Sequence, residues 1–193
     1  MIGNDIVDLS LAVKESNWQR PGFLEKQFTK KEQESILNAS DSFSQVWLFW
    51  SMKEAAYKCY TQQHEKRFFA PKKFECSMIS KTKGIVVFKG TKFLTGTFFN
   101  TLYCHTIAKQ SEEETVVFSS IGLPKKVDFD IKKEVQILTG FLTEEILQKK
   151  SPIGAPSYYH KEKKLTSACS ISHHGKYGAF AFTLHNEHKR ITI

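Results

Sequence analysis

Residues 45–61 read Gln45-Val46-Trp47-Leu48-Phe49-Trp50-Ser51-Met52-Lys53-Glu54-Ala55-Ala56-Tyr57-Lys58-Cys59-Tyr60-Thr61, a stretch with no glycine or proline to interrupt it. Leu48, Phe49, Met52, Ala55, Ala56, Cys59 and Tyr60 recur at the spacing of one broad helical face, so the stretch predicts a helix packed on a core. Trp47, Ser51, Glu54 and Lys58 fall on the other side, where Glu54 and Lys58, four apart, present an acid and a base together. Taken alone, such a pair is an ordinary solvated ion pair worth a few tenths of a kcal/mol. Its neighbours in the chain give it more weight.

Upstream, Phe28-Thr29-Lys30-Lys31-Glu32 supplies a Thr-x-x-Glu capping box, predicting a short helix over 30–38. Earlier still, Ile2, Ile6, Val7 and Leu9 read as a short apolar strand over residues 2–9, with Gly3-Asn4 near its start. Asp5 and Asp8 interrupt that strand. They are hard oxygen ligands of the kind Mg²⁺ takes, one or two at a time, and Glu54 is a second source. Asp5 read alone serves equally as a strand-end cap or as the partner of a basic side chain.

Downstream, residues 74–121 are rich in Phe, Val, Ile, Thr and Tyr with breaks at Gly84, Gly90 and Gly96, predicting several antiparallel strands. Glu112-Glu113-Glu114 reads as a solvated turn. A second helix is predicted over 130–149, weakened at Gly140, with Val135, Ile137, Leu138, Phe141, Leu142, Ile146 and Leu147 on its apolar side. A loop over 151–157 then leads to a hairpin in which Phe180, Phe182 and Leu184 alternate with Ala179, Ala181 and Thr183. Strand, helix, strands, helix, strands is the order of an α+β or α/β domain.

Just before the last strand, Ser170-Ile171-Ser172-His173-His174-Gly175 puts two hydroxyls and two imidazoles at a strand end, a loop able to grip phosphate. The plainer alternative is one core histidine and one solvated one. Zinc is a poor reading, because adjacent histidines diverge on an extended chain and no Cys, Asp or Glu follows at ligand spacing.

The whole chain has 193 residues, 40% of them apolar, enough for one substantial core or two small subdomains. No run approaches the roughly 18 apolar residues of a membrane helix. The N-terminus is acidic where a signal peptide is basic, so a cytoplasmic protein is expected. Cys59, Cys76, Cys104 and Cys169 never form a CxxC pair and read as free buried thiols. The 28 basic and 20 acidic residues leave a net charge of +8, which favours an anionic partner. No Gly-x-x-x-x-Gly-Lys-Ser/Thr, Gly-x-Gly-x-x-Gly or Gly-x-Ser-x-Gly motif occurs, removing the simplest nucleotide-hydrolase, dinucleotide and serine-hydrolase readings.

Together, Gly3-Asn4-Asp5-Ile6-Val7-Asp8, Trp50-Ser51-Met52-Lys53-Glu54-Ala55-Ala56-Tyr57-Lys58 and Ser170-Ile171-Ser172-His173 resemble the 4'-phosphopantetheinyl transferase superfamily. The order of motifs is that of the short holo-acyl-carrier-protein synthase type, which opens on Gly-x-Asp. The length, and Gly154-Ala155-Pro156, resemble the longer surfactin-synthetase-activating type. The resemblance implies a single phosphopantetheinyl transferase domain over 1–193 built as a pseudo-dimer of two similar subdomains, 1–121 and 122–193, with the Ser-His half moved to the C-terminus.

The resemblance further implies that Asp5 and Glu54 hold Mg²⁺, and that Lys53, Lys58 and His173 contact the phosphates of coenzyme A. Ser172 and the backbone of Gly154 to Pro156 would lie near its adenosine end. Glu54, or a water it orients, would be the base, and Lys58 would assist the leaving phosphate. Ala155 and Val7 depart from the family, standing where relatives often carry a lysine and a further acidic ligand; Asp8 is a candidate replacement for the latter. The implied activity is transfer of 4'-phosphopantetheine to a serine of an acidic apo acyl or peptidyl carrier protein by a monomer, with no nucleic acid or membrane partner. The competing reading is a non-catalytic coenzyme A-binding protein or a basic RNA-binding module; against the RNA form of it, no compact basic-aromatic stripe is visible.

Overall fold

The computed structural model describes residues 1–110 and 116–185; the acidic tract at 112–114 lies outside them. The chain opens with β1 (Ile2–Asp8), followed by α1 (Leu9–Glu15), α2 (Phe23–Gln27), α3 (Lys30–Leu37) and α4 (Ser42–His64). Four strands follow, β2 (Glu75–Met78), β3 (Lys83–Phe88), β4 (Thr91–Phe99) and β5 (Tyr103–Lys109), and with β1 they form an antiparallel sheet in the order β1-β5-β4-β3-β2. The capping box forms as predicted: Thr29 Oγ1 accepts from the Glu32 N–H, and Glu32 Oε2 accepts from the Thr29 N–H.

α4 is longer than its periodic stretch because Asp41 caps its start, accepting from the Ser44 N–H at 3.0 Å, and Glu65 closes it in a left-handed conformation. Phe49, Met52, Ala55, Ala56 and Cys59 are buried as the apolar face requires. The other face departs from expectation. Trp47 and Ser51 are buried too, and the Ser51 hydroxyl donates to the Asp5 carbonyl at 3.4 Å. α4 is therefore enclosed around most of its girth rather than half solvated.

Gly3 explains how closely β1 and α4 meet, since a Cβ on it would stand 2.0 Å from the Ala55 carbonyl oxygen. That approach brings the Asp5 strand against the Glu54 turn.

The second half contains β6 (Phe118–Gly122), α5 (Val127–Thr139), β7 (Ile146–Lys150), β8 (Pro156–His160), β9 (Lys163–Lys164), β10 (Thr166–His174) and β11 (Tyr177–Leu184). Here the predicted helix over 130–149 is corrected. It stops at Thr139 because Gly140 takes a left-handed φ of 83° and its N–H bonds to the Gln136 carbonyl at 2.7 Å. Residues 146–150 instead pair with β8, burying Ile146 and exposing Leu147 in strand alternation. The predicted boundary at residue 121 also shifts, because Phe118–Gly122 pairs with β11 and belongs with the C-terminal half.

The final hairpin forms as expected, with both faces of β11 buried. Phe180, Phe182 and Leu184 join Val127, Ile131 and Val135 of α5 in one core, while Ala181 packs with Ile2 of β1. In both halves the opening strand pairs with the last strand, and that strand pairs with the one before it: β1-β5-β4 and β6-β11-β10. β8 then lies along β10, with the Leu165 N–H donating to the Tyr158 carbonyl at 2.8 Å, and β8 pairs with β7.

Where the halves meet, β10 stands across the free edge of β1. Ser170 Oγ accepts from the Asn4 N–H at 3.0 Å and His174 Nδ1 accepts from the Asp8 N–H at 2.8 Å. Side chains of one half thereby satisfy backbone donors that a sheet edge would otherwise leave open. Among the described residues, no helix is long and apolar enough to cross a membrane.

Candidate active site

Asp5 sits where β1 crosses α4, its carboxylate held at 3.0 Å by Lys58 Nζ, which also donates to the Asn4 carbonyl at 3.0 Å. Burial pushes the Asp5 carboxyl upward, opposed by Lys58. One turn before Lys58, burial raises Glu54 to about 7, with the neighbouring Asp5 charge adding to the rise and Lys58 opposing it. Two carboxylates thus repel across a site that holds one paired cation. A base poised near neutrality is the result, and the same electrostatics favour a further cation.

Asp5 and Glu54 line a cavity of about 350 Å³ together with His173, His174 and an aromatic wall of Phe23, Trp47 and Trp50. Because His174 Nδ1 accepts a backbone N–H, its Nε2 is left to carry the ring proton. On the far side of the Asp5–Lys58 pair, Lys58 lines a second cavity of about 270 Å³ with Gly154, Ala155, Pro156, Ser170 and Arg67. Glu54 and Tyr57 also border a third, apolar hollow of about 280 Å³ walled by Phe68, Phe69 and Phe74. All three hollows converge on the 54–58 turn of α4.

The structure brings Asp5, Glu54, Lys58 and His173 together, with Gly154 and Pro156 in the adjoining hollow. Lys53 is corrected as a phosphate contact: only 1% exposed, it forms a buried ion pair with Glu32 at 2.9 Å and donates to the Pro71 and Phe74 carbonyls. The Lys-Glu dipeptide sends its two side chains to different tasks, one to the core and one to the cavity. Ser172 is buried, its hydroxyl without a hydrogen-bond partner among the described residues, and Ser170 rather than Ser172 lines the hollow with Gly154 and Pro156. Asp8 is likewise withdrawn from metal binding. Its Oδ1 caps α1 by accepting from Leu11 N–H at 3.2 Å, and its Oδ2 accepts from Lys176 N–H at 3.3 Å.

A family model described as the 4'-phosphopantetheinyl transferase superfamily matches residues 1–116 of the 193. The chain belongs to the 4'-phosphopantetheinyl transferase superfamily. Membership makes it a transferase of the phosphopantetheinyl kind, and the matched span contains Asp5, Glu54 and Lys58 but ends before β6. A search of curated proteins finds no match.

In this phosphopantetheinyl transferase, the motifs did not disclose Asn4, His105 or Arg67. His105 is buried opposite Lys58, and both effects hold its ring at about 4, so it is neutral and its Nε2 accepts from Asn4 Nδ2 at 3.3 Å. Its signal was a histidine between Cys104 and Thr106 in a strand-forming stretch, Tyr103–Lys109. Arg67 had none, since its place depends on how the segment after α4 folds back onto a loop 86 residues later.

Among the described residues no cluster of three or more His, Cys, Asp or Glu side chains forms a metal cage. Mg²⁺ requires no such cage; one or two carboxylates beside a substrate phosphate suffice. The Asp5 and Glu54 pair fits that donor set, because the carboxylates lining one cavity repel each other in its absence.

Proposed function

We propose that this protein transfers 4'-phosphopantetheine from coenzyme A to a serine of an apo acyl or peptidyl carrier protein, releasing 3',5'-ADP. The observation that carries the reading is the meeting of Asp5 and Glu54 in one cavity that adjoins, through the Asp5–Lys58 pair, a hollow lined by two cationic side chains. A carboxylate so placed can accept a hydroxyl proton directly or through a water that it orients.

The carrier serine oxygen attacks the phosphorus that bears the pantetheine arm. A new phosphodiester bond forms as the bond to the bridging pyrophosphate oxygen breaks, and the electron pair departs with 3',5'-ADP. Glu54, or a water it orients, accepts the serine proton. Lys58 would exchange its bond to the Asn4 carbonyl for the charge developing on the leaving phosphate, and His173, which lines the cavity of Asp5 and Glu54, would engage the pyrophosphate. Mg²⁺ held by Asp5 and Glu54 would neutralise the pyrophosphate oxygens. The nucleotide would occupy the hollow of Lys58, Gly154 and Pro156.

The matching strand orders of the two halves support a pseudo-dimer of similar subdomains with the site at their junction; the proposed enzyme acts as a monomer in the cytoplasm. The net charge of +8 suits an acidic carrier and a polyanionic cosubstrate. Glu54→Gln tests the reading: transfer should fall by at least about a hundredfold, the usual contribution of a general base. Undiminished transfer would remove Glu54 from this role.

A further inference from the structure

Arg67 is unlike the other basic residues that dot the surface, because it is fixed on the rim of a concave site. Its Nε donates to the Ile153 carbonyl at 3.0 Å and its Nη2 donates to the same oxygen. That double contact ties the segment after α4 to the loop before Gly154. The loop is shaped to receive it: Gly154 has a φ of 82°, and a Cβ there would stand 2.9 Å from Arg67 Nη2. A bulkier residue at 154 would displace the guanidinium.

A guanidinium has five N–H donors. Two are used on Ile153, which leaves the others for a ligand, and among the described residues no carboxylate forms an ion pair with Arg67. Its planar fork therefore keeps its full charge while its orientation is already fixed, the condition in which arginine binds phosphate with least loss of freedom. The other cation lining this hollow, Lys58, is committed to Asp5. The hollow thus has two cations of different character: a lysine shared with the reacting centre and an arginine that serves nothing there.

Resting on the proposed use of coenzyme A, we infer that Arg67 binds the 3'-phosphate of the cosubstrate and makes the protein selective for coenzyme A over 3'-dephospho-coenzyme A. Ala155, on the same loop, offers no charge for that phosphate, so the burden passes to Arg67, whose guanidinium is held against that loop. A ligand whose pyrophosphate lies at Lys58 carries its only other phosphate on the ribose, and the free donors of Arg67 are the remaining cationic feature of the hollow.

The experiment is calorimetric titration of the full chain and its Arg67→Ala and Arg67→Lys variants with coenzyme A, 3'-dephospho-coenzyme A, 3',5'-ADP and 5'-AMP, without metal, with thermal unfolding to confirm the fold. The wild type should prefer the 3'-phosphorylated member of each pair by about tenfold or more, the usual strength of a charge-assisted hydrogen bond. Arg67→Ala should abolish that preference by weakening only the 3'-phosphorylated ligands, and Arg67→Lys should restore part of it. Equal weakening of both members would make Arg67 only a staple for the 151–155 loop and overturn the inference, as would a preference that survives in Arg67→Ala. A wild type that binds coenzyme A but shows no preference also overturns it. A wild type that binds none of the four ligands brings down the parent reading itself.

Discussion

Glu54 and Lys53 are neighbours in the chain with opposite fates, and each makes a separate prediction. Glu54 holds its proton up to about 7 in the folded protein against an ordinary 4.5. The retained proton favours the fold at low pH, and that contribution is lost as pH rises from 4.5 through about 7. In metal-free buffer, Glu54→Gln should therefore stabilise the protein at about pH 8 by on the order of 2 kcal/mol after allowance for solvent screening, and by nothing below about pH 4.5. Thermal unfolding at the two pH values measures this. His105 has the opposite slope, its ring charging in the unfolded chain before it does in the fold, so its contribution weakens as pH falls from 6.5 toward about 4. The difference between wild type and Glu54→Gln cancels that term. Lys53→Ala should instead cost about 3–5 kcal/mol, because it strands the Glu32 carboxylate in the core. A Lys53→Ala protein with an unchanged melting temperature and weakened coenzyme A binding would restore Lys53 to the site and refute the buried pair.

At the scale of elements, the crossing of β1 and α4 is the part on which the site depends. Gly3→Ala would place a methyl 2.0 Å from the Ala55 carbonyl oxygen and 2.7 Å from the Cys59 nitrogen, both on backbone that cannot swing aside. The variant should lose at least about 2 kcal/mol and separate Asp5 from Glu54, so that the proton uptake of Glu54 moves back toward an ordinary carboxylate value. Denaturant unfolding and an NMR titration of Glu54 read the two effects. Much of this region was legible in the sequence: the gap-free periodic stretch announced α4, the Thr29–Glu32 box announced α3, and Asp5 stood out as a charge in an apolar strand. What misled was periodicity without its terminator. The apolar spacing of residues 135–147 suits a helix throughout, but Gly140 in a left-handed conformation ends α5, and the pairing of Ile146–Lys150 with β8 is a long-range fact absent from local pattern. The second face of α4 was misread for the same reason: the amphipathic pattern shows which residues are apolar, not that β1 would arrive to cover Ser51. Among site residues, Lys53 was misassigned because its partner Glu32 lies on another helix, and Arg67 escaped notice because its partner loop is remote in sequence.

Across the whole molecule, the site is a junction. β1 and α4 supply Asp5, Glu54 and Lys58, β10 supplies His173 and the caps on the edge of β1, the loop after β7 supplies Gly154 and Ala155, and β8 opens with Pro156. Ser170→Ala, which leaves the buried Asn4 N–H without an acceptor, should destabilise the junction by about 1–3 kcal/mol while sparing the C-terminal core, as hydrogen exchange at β1 and β11 would reveal. The central claim is that this junction moves a phosphopantetheine arm onto a carrier. Intact mass spectrometry of a panel of apo carrier proteins, incubated with this protein, coenzyme A and Mg²⁺ and in parallel with its Asp5→Ala variant, tests it most directly. The account predicts a gain of one phosphopantetheine on at least one carrier, dependent on the metal and lost with Asp5→Ala; coenzyme A binding with no gain on any carrier, or a gain indifferent to Asp5, would contradict it.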